Sequence, residues 1–439
     1  MIRLRVAAGA MAALALCLVL AGCGGDKKQP LTGKRLSVLD LDKRLVPDTD
    51  LRTTPILLPA PFANPAWPDA GGYPNHAMYH LALGDKVHRA WRSGIGAGDS
   101  RYGRVMAQPV VANGRVFTMD AEDKVSAYDA QSGDRIWRFD TQPKDDDDTM
   151  FGGGVAYGDG RVYAATGYAE VIALDADKGT VLWRQPVASP VRSAPTVADG
   201  RVFVITVDNE LEVLAASDGR RLWTHNGIPE PAGLLGGASP AVEGDTVVVP
   251  YSSGELFALR VENGRPVWSD NLATARPLGA LSSLADIRGQ PVIDRGRVIA
   301  VSHAGILVSI DLRTGDRVWE QDIGGTHMPW VAGEFIYVLS ESGDLLCLTR
   351  DAGRVRWART LPRFEDEDAK KGVLRWAGPV LAGDRLIVVS STGEAFSVSP
   401  YTGEPLGAQD FPDGVYVTPV VAAGTLYVLT DDADLIALR

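Results

Sequence analysis

The amino-acid sequence predicts an all-β protein, an eight-bladed β-propeller whose ring is closed by pairing of an N-terminal strand with the C-terminal blade. A phrase of strand, glycine turn, second strand and tryptophan, as in "LVSIDLRTGDRVW" (307–319), recurs along the chain. Each copy follows a shorter hairpin such as "VIDRGRVI" (292–299), so one period of about 44 residues holds four short strands. The last period lacks a fourth strand, and the segment 86–93 offers one. This pattern is typical of propeller blades and unlike the helical repeats of other solenoids.

The N-terminus has the pattern of a lipoprotein signal peptide. Arg3 and Arg5 precede an apolar run, 6–20, that is too short to span a membrane comfortably. The run leads into Leu-Ala-Gly-Cys, which resembles the bacterial lipobox, in which the cysteine thiol is alkylated with diacylglycerol. The sequence therefore predicts a signal peptide over 1–22 and lipidation of Cys23, which would hold the protein at a membrane.

Residues 23–66 are predicted to form a flexible tether ahead of a propeller domain over 67–439. The segment is rich in lysine, aspartate and proline, and its prolines interrupt any helix or central strand. They are Pro47, Pro55, Pro59, Pro61 and Pro65.

The charge of the chain restricts its partners. Its 44 lysines and arginines face 55 acidic residues, which gives a formal net charge of −11. Such a chain repels nucleic acid and anionic membrane surfaces alike. Nucleic-acid binding is therefore excluded, and the N-terminal lipid is the expected contact with the membrane.

Glycine turns and tryptophans mark the individual blades. Seven glycines occupy the position at which a short hairpin needs a positive φ: Gly133, Gly179, Gly219, Gly264, Gly315, Gly353 and Gly403. A tryptophan follows four residues after each of the first six, whereas Gly407 takes that place in the seventh and predicts a weaker joint. The strand over 86–93 carries its own tryptophan. We expect the indoles to lie flat against the next blade: Trp91, Trp137, Trp183, Trp223, Trp268, Trp319 and Trp357.

Tryptophans repeated after glycine turns in an eight-bladed ring resemble the pyrroloquinoline-quinone type of propeller, the family of quinoprotein alcohol dehydrogenases. The resemblance covers nearly all of 86–439. For the enzymes of that family it implies a quinone held in the central funnel by calcium, with carboxylate and amide ligands, a catalytic aspartate and often a Cys-Cys pair. The chain has no such pair. Because the family contains both enzymes and non-enzymes, the fold cannot choose between them. A calcium-dependent quinoprotein dehydrogenase is the alternative function.

The lipobox, the tether, the eight blades and the lead-in at 67–91 together resemble the BamB family of outer-membrane assembly lipoproteins. The resemblance implies a non-catalytic scaffold without a cofactor on the periplasmic face of the outer membrane. It implies docking on a BamA-like barrel protein, beside the other BAM lipoproteins, and help with the insertion of unfolded outer-membrane proteins. A propeller that binds another envelope partner, such as cell-wall material, is a further alternative.

Long loops predict the docking face. The loops at 138–150, 224–238, 269–290 and 358–376 are long and irregular, whereas the hairpins are short throughout. Blade geometry places these loops on the face opposite the hairpins, and binding residues concentrate on loops that a rigid scaffold presents.

Four loop residues match positions that resemble the BamA-contacting loops of the BamB family: Leu234, Leu235, Asp286 and Arg288. The well-known members carry an arginine at the place of Leu235 and an acid at that of Arg288, so their ion pairs need not be the same here. Ordinary loop residues are the alternative interpretation.

Acidic runs and histidines raise the question of a metal, and no metal site is predicted. The runs at 145–148 and 365–368 lack the alternating spacing and turn glycine of a calcium loop. His76 and His80 would permit metal binding if the lead-in were helical, but no third ligand accompanies them. We expect solvated acidic loops, and histidines that pack against or cap the ring.

Overall fold

The computed structural model describes residues 45–51, 53–101, 103–144, 150, 152–231, 233–273 and 285–439. Within these ranges the strands form eight four-stranded sheets and one two-stranded sheet. A single turn of 3-10 helix occupies Thr49–Leu51. None of the described residues belongs to a helix of the length and apolarity that a membrane span needs. The prediction of an all-β, eight-bladed propeller is confirmed.

Blades 1 to 4 are antiparallel meanders whose strands follow one another in sequence order. One strand, β1, precedes them and belongs to blade 8. The strands are β1 Arg89–Gly94; β2 Val110–Ala112, β3 Arg115–Met119, β4 Val125–Asp129 and β5 Arg135–Phe139 in blade 1; β6 Gly154–Gly158, β7 Arg161–Ala165, β8 Glu170–Asp175 and β9 Val181–Pro186 in blade 2; β10 Thr196–Ala198, β11 Arg201–Ile205, β12 Glu210–Ala215 and β13 Arg221–Asn226 in blade 3; and β14 Ala241–Glu243, β15 Thr246–Pro250, β16 Glu255–Arg260 and β17 Pro266–Asn271 in blade 4.

Blades 5 to 8 continue the pattern, with a small extra hairpin between blades 6 and 7. Their strands are β18 Val292–Asp294, β19 Arg297–Val301, β20 Leu307–Asp311 and β21 Arg317–Gln321 in blade 5; β22 Trp330–Ala332, β23 Phe335–Leu339, β24 Asp344–Thr349 and β25 Val355–Thr360 in blade 6; β26 Phe364–Asp366 and β27 Lys371–Val373 in the extra hairpin; β28 Trp376–Ala382, β29 Arg385–Ser390, β30 Glu394–Val398 and β31 Pro405–Asp410 in blade 7; and β32 Val420–Ala422, β33 Thr425–Leu429 and β34 Asp434–Leu438 in blade 8.

Burial changes from the inner to the outer strands of a blade. All residues of β15, β23 and β33 are buried, because both faces of a central strand are covered by neighbouring blades. These strands accordingly read as continuous apolar runs and not as alternating ones. The outer strand β9 alternates between exposed and buried positions, and Trp183 occupies its buried position.

A register shift recurs in the outer strands. In blade 1, Ala127 pairs with Trp137 and the next residue, Tyr128, pairs with Arg135, so the pairing skips Ile136. The same shift occurs in the other blades, and such bulges re-aim a side chain. Apolar residues at the skipped position point away from the joint: Leu182 is 47% exposed, whereas Leu222 and Val267 are half-buried. The shift therefore orients the side chain of the neighbouring tryptophan toward the next blade, where it packs in the joint between the two blades.

The ring closes through its first and last strands. Strand β1 pairs antiparallel with β34, with Trp91 opposite Ala437 and the same register shift beside it. The His88 amide donates to the Arg439 carbonyl at 2.7 Å, and the Arg439 amide donates back at 3.0 Å. The predicted closure is confirmed, and β1 has the geometry of an ordinary outer strand.

Seven joints between blades share one contact. The indole Nε1–H of each tryptophan donates to a carbonyl three residues before the turn glycine of the next blade, as Trp268 does to Leu312 at 2.7 Å. A Cβ atom added to the turn glycine would lie too close to the ring, for example 2.6 Å from Trp137 Cδ2 at Gly179. The donors are Trp91, Trp137, Trp183, Trp223, Trp268, Trp319 and Trp357.

The joint between blades 7 and 8 is different. Gly407 has no atom within 4 Å of the position that a Cβ would occupy. A cleft of about 520 Å³ lies there, lined by Leu406, Gly407, Phe411 and Val428 among others. In blade 8 the third and fourth strands are β34 and β1, the last and first strands of the ring, so no hairpin glycine offers a docking surface.

The predicted tether over 23–66 is wrong in its C-terminal part, because residues 48–51 and 53–63 pack on the ring. We call this segment the strap. The Asp48 amide donates to the Val355 carbonyl at 2.8 Å, and Arg354 Nε donates to Asp48 Oδ2 at 2.7 Å. That bond lowers the pKa of Asp48. Ile56 is buried in the core. Residues 1–44, with the predicted signal peptide and Cys23, lie outside the described residues.

Residues 64–82, which we call the plug, cross one end of the central channel and contact all eight blades. The Trp67 amide donates to the Val111 carbonyl at 2.7 Å, and Asn64 Nδ2 donates to the Val421 carbonyl at 2.7 Å. The ring of Trp67 stacks on that of Trp330, with centroids 6.3 Å apart. The residues that the plug contacts, one in the first strand of each blade, are Val111, Tyr157, Val197, Val242, Ile293, Trp330, Leu381 and Val421.

The plug defines the two ends of the ring. Each of its eight partners lies within three residues of the turn that joins the first and second strands of a blade. The plug therefore closes the end at which the hairpin turns lie, which we call the hairpin face. The opposite end, formed by the loops between blades and the loops between second and third strands, we call the loop face.

Candidate partner-binding face

The loop face is built by two sets of loops that hydrogen-bond to each other. The His303 amide donates to the Asp286 carbonyl at 2.9 Å, and the Val415 amide donates to the Ser390 carbonyl at 3.0 Å. Because the blades fix the ends of these loops, such bonds hold the described parts of the loop face in place. The prediction that long loops share one face agrees with this arrangement.

A cavity of about 720 Å³ opens in the centre of the loop face. Leu234, Leu235 and Arg288, three of the four predicted partner-binding residues, line it. A smaller cavity of about 100 Å³ is also lined by Arg288 and reaches Ala70 and Gly71 of the plug. We call these two cavities together the funnel. It is open on the loop face, and the plug forms its floor.

Asp286, the fourth predicted residue, is a positioning group and not a surface contact. Its side chain is only 3% exposed, and its Oδ2 accepts a hydrogen bond from the Leu234 amide at 2.9 Å. Burial raises the pKa of Asp286 to about 6. The carboxyl therefore holds the loop that presents Leu234 and Leu235.

Arg288 lines both the large and the smaller cavity. Its guanidinium carbon is 5.1 Å from the centroid of the Tyr416 ring, a geometry that favours a cation–π contact. A Cβ atom at Gly236, whose φ is +94°, would lie 3.2 Å from Arg288 Nε. The glycine therefore leaves room for the guanidinium.

Three further arginines line the same cavity: Arg104, Arg363 and Arg375. They come from the loops before blade 1 and before blade 7, far from Arg288 in the sequence. Sequence reasoning missed them because single arginines in separate loops give no motif. Only the ring geometry brings the four cations together.

Two histidines and one carboxylate also line the cavity. His303 Nδ1 lies 3.6 Å from Glu341 Oε2, and this contact lowers the pKa of Glu341. Burial, with the nearby charge of Arg288, lowers the pKa of His327 to about 4. His327 is therefore neutral near pH 7 and adds no charge to that of the arginines in the lining.

The loop between blades 6 and 7, predicted to be irregular, contains the β26–β27 hairpin. The acidic run 365–368 lies in this hairpin and is exposed. Glu367 accepts the Arg363 amide at 2.7 Å, and Asp366 accepts the Ala369 amide at 2.8 Å. These two carboxylates therefore stabilise the hairpin itself. The other run, 145–148, lies outside the described residues.

His76 and His80 lie in the plug and bind the backbone. His76 Nδ1 is 2.7 Å from the Pro291 carbonyl. His80 Nδ1 is 2.8 Å from the Pro59 carbonyl, and its Nε2 accepts the Asp384 amide at 3.1 Å. These contacts support the interpretation of both residues as packing and capping groups.

The cavity lining does not suit a quinone held by calcium. Calcium takes six to eight oxygen ligands, yet the described lining of the large cavity offers one carboxylate, Glu341, which already contacts His303. Among the described residues, Asp413, Asp432 and Asp434 are the group of carboxylates close enough to share an ion. None of these three lines the cavity, and Arg92 pairs with Asp434.

Comparison of the sequence with known families supports the predicted resemblance. The sequence profile described as "Outer membrane protein assembly factor BamB" matches residues 121–359 and 365–439. The protein of that name from Yersinia pestis is 28% identical over 346 residues, which cover 77% of this chain and 86% of the relative.

Solved structures show the same fold in two functional classes. BamB from Moraxella catarrhalis superposes with a TM-score of 0.64 at 20% identity, covering 81% of this chain and 98% of that one. Quinohemoprotein alcohol dehydrogenase from Comamonas testosteroni superposes with a TM-score of 0.66 at 15% identity, covering 89% of this chain and 82% of that one. At these identities the likeness shows the fold alone, so the function must be argued from the site.

Proposed function

Because the chain belongs to the BamB family of outer-membrane protein assembly factors, we propose that it is an accessory lipoprotein of the outer-membrane β-barrel assembly machinery. It docks through its loop face on a BamA-like barrel protein, beside the other BAM lipoproteins, and assists the insertion of unfolded outer-membrane proteins. It acts at the periplasmic face of the outer membrane and catalyses no reaction.

The observation that carries this proposal is the unequal architecture of the two faces. The plug occupies the hairpin face, whereas the loop face presents Leu234 and Leu235 around an open cavity, held by the buried Asp286. Half-buried apolar side chains on a loop that is held by a buried carboxyl are suited to anchor a partner, because they lose less freedom on binding than side chains of an unsupported loop.

Docking can be tested with the purified periplasmic domains of the BamA-like protein from the same organism. The variant Leu234→Glu/Leu235→Glu should bind at least tenfold more weakly than the unchanged protein, because it places two charges at the apolar contact. The matched control is Val181→Glu/Leu182→Glu on the outer strand of blade 2, whose side chains are 41% and 47% exposed.

Affinity is measured by biolayer interferometry, and folding of both variants by circular dichroism. A folded loop-face variant that binds as well as the unchanged protein would contradict the proposed docking face. Weaker binding by the Val181→Glu/Leu182→Glu control alone would place the contact on the outer strands.

The anchor and the absence of catalysis are tested separately. Cys23→Ser should release the protein from the membrane fraction, and unchanged fractionation would count against lipidation. Pyrroloquinoline quinone with calcium should give neither a bound chromophore nor dye reduction with alcohols or sugars. Turnover with these additions would instead identify a dehydrogenase.

A further inference from the structure

The funnel has a charge opposite to that of the whole protein. The chain carries a net charge of −11, yet four arginines and a single carboxylate line the described part of the large cavity. These are Arg104, Arg288, Arg363, Arg375 and Glu341. A concave site lined by one sign of charge concentrates ligands of the opposite sign.

Within the described parts of the chain, none of the four guanidinium groups forms a close ion pair with a carboxylate. Arg104 and Arg363 have their described carboxylate partners, Asp99 and Asp344, at the long distances of 3.9 Å and 3.8 Å. Arg288 faces the Tyr416 ring. Glu341 contacts His303, and the charge of Arg288 acts on Glu341 and on the buried Asp286 without a close ion pair to either. The arginines are therefore available for charge-assisted hydrogen bonds to carboxylates, which are among the stronger polar contacts in proteins.

The same cavity also has a large apolar part. Leu234, Leu235, Phe364, Val373 and Trp376 line it, and Val373 is 68% exposed on the β26–β27 hairpin. A volume of about 720 Å³ lies in the range of ligand pockets and suits a few residues of extended chain, not a folded domain. Its occupant must therefore combine negative charge with apolar surface.

We infer that the funnel binds an acidic, extended peptide segment of the docking partner, in which carboxylates flank an aromatic or aliphatic side chain. This inference rests on the proposed function and names the chemistry of the contact. The carboxylates bind the arginines while the apolar side chain contacts Leu234 and Leu235. The plug lies at the floor of the funnel, so the segment enters and leaves through the loop face.

The test uses the full-length protein and two fluorescein-labelled peptides, Gly-Asp-Glu-Trp-Asp-Glu-Gly and its amide analogue Gly-Asn-Gln-Trp-Asn-Gln-Gly. Fluorescence anisotropy should show at least tenfold tighter binding of the acidic peptide, and that binding should weaken as sodium chloride is raised. Equal binding of the two peptides would overturn the inference.

The arginines are tested with Arg288→Gln/Arg375→Gln, which should bind the acidic peptide at least tenfold more weakly. The control, Arg220→Gln/Arg313→Gln, changes two exposed arginines beside hairpin turns and should bind within twofold of the unchanged protein. Circular dichroism verifies folding. Undiminished binding by the folded funnel variant would overturn the inference.

Two further measurements distinguish the acidic peptide from smaller anions and from lipid. Inorganic phosphate or anionic phosphatidylglycerol vesicles that bind through the same arginines, in a protein that does not bind the acidic peptide, would overturn the inference in favour of those ligands. Docking of the partner's periplasmic domains is measured in parallel. Unchanged docking without peptide binding would leave the proposed function standing and refute the inference about the funnel.

Discussion

The joints of this ring are of two kinds, and they differ in one side chain and one turn. At seven joints an indole lies against a glycine turn and donates a hydrogen bond to that turn, as Trp268 does to Leu312. At the joint of blades 7 and 8 both parts are missing. Gly407 replaces the indole, and no hairpin joins the third and fourth strands of blade 8. The difference shows that the tryptophan and the turn work as a pair.

The joint of blades 7 and 8 is held by other contacts. The side chain of Arg385 donates to the Gly84 carbonyl at 2.7 Å, and the plug joins both blades, since Leu81 binds Leu381 of blade 7 and Asn64 binds Val421 of blade 8. These contacts lie near the axis or at the hairpin face. The cleft of about 520 Å³ remains farther out, where other blades carry their indole.

The largest expected effect is the loss of an indole from a docked joint. Trp268→Ala should lower the free energy of unfolding by about 3 to 5 kcal/mol, as for other buried aromatic side chains, because Trp268 is 8% exposed. Leu406→Ala, at the joint without an indole, should cost less than about 1 kcal/mol, since Leu406 is 57% exposed. Urea titrations followed by circular dichroism measure both, and equal losses would contradict the distinction between the joints.

A medium effect is expected from blocking the turn. Gly133→Ala adds a Cβ atom 2.6 Å from the Trp91 ring, whereas Gly114→Ala meets nothing within 4 Å, although the two glycines have φ of +79° and +71°. Both variants carry the same backbone strain, so the difference between them isolates the indole contact. Gly133→Ala should be less stable than Gly114→Ala by about 1 to 3 kcal/mol, the usual range for overpacking.

The unfolding midpoints in urea of these two glycine variants measure the difference. If the two variants unfold at the same urea concentration, the packing of the indole does not require a turn residue without a side chain.

The smallest effect is expected from adding the missing indole. Gly407→Trp should stabilise the protein by no more than about 1 kcal/mol, because blade 8 has no hairpin glycine or turn carbonyl to receive the ring. The φ of Gly407, +156°, is also one that side chains rarely adopt. Thermal melting of the variant beside the unchanged protein measures this. Stabilisation by more than about 2 kcal/mol would mean that the tryptophan alone distinguishes the two kinds of joint, without the glycine turn of the next blade.

Much of the fold could be predicted from local sequence pattern. The closing strand predicted over 86–93 is found at Arg89–Gly94, because Trp91 has the spacing of the other docking residues. The strap and the plug could not be predicted in the same way, since residues 48–82 have no regular alternation and their prolines are typical of an unstructured chain. Their order depends on backbone groups of distant blades, to which no local pattern refers.

The candidate site was predicted only in part. Leu234, Leu235 and Arg288 do line one cavity, but the burial of Asp286 and its bond to Leu234 could not be read from a loop sequence. The grouping of Arg288 with Arg104, Arg363 and Arg375 also escaped prediction. These residues become neighbours because the ring brings the loops of its blades to a common centre.

The sequence by itself determined the blades, the closure of the ring and the pairing of tryptophans with glycine turns. These features depend on contacts between residues a few positions apart, or on a repeat that is written seven times. Only the tertiary structure decided which end of the channel is closed, which residues present the docking surface, and that a funnel rich in arginines lies within an acidic protein. Those properties arise from groups that are far apart in the chain and meet only when all eight blades are assembled.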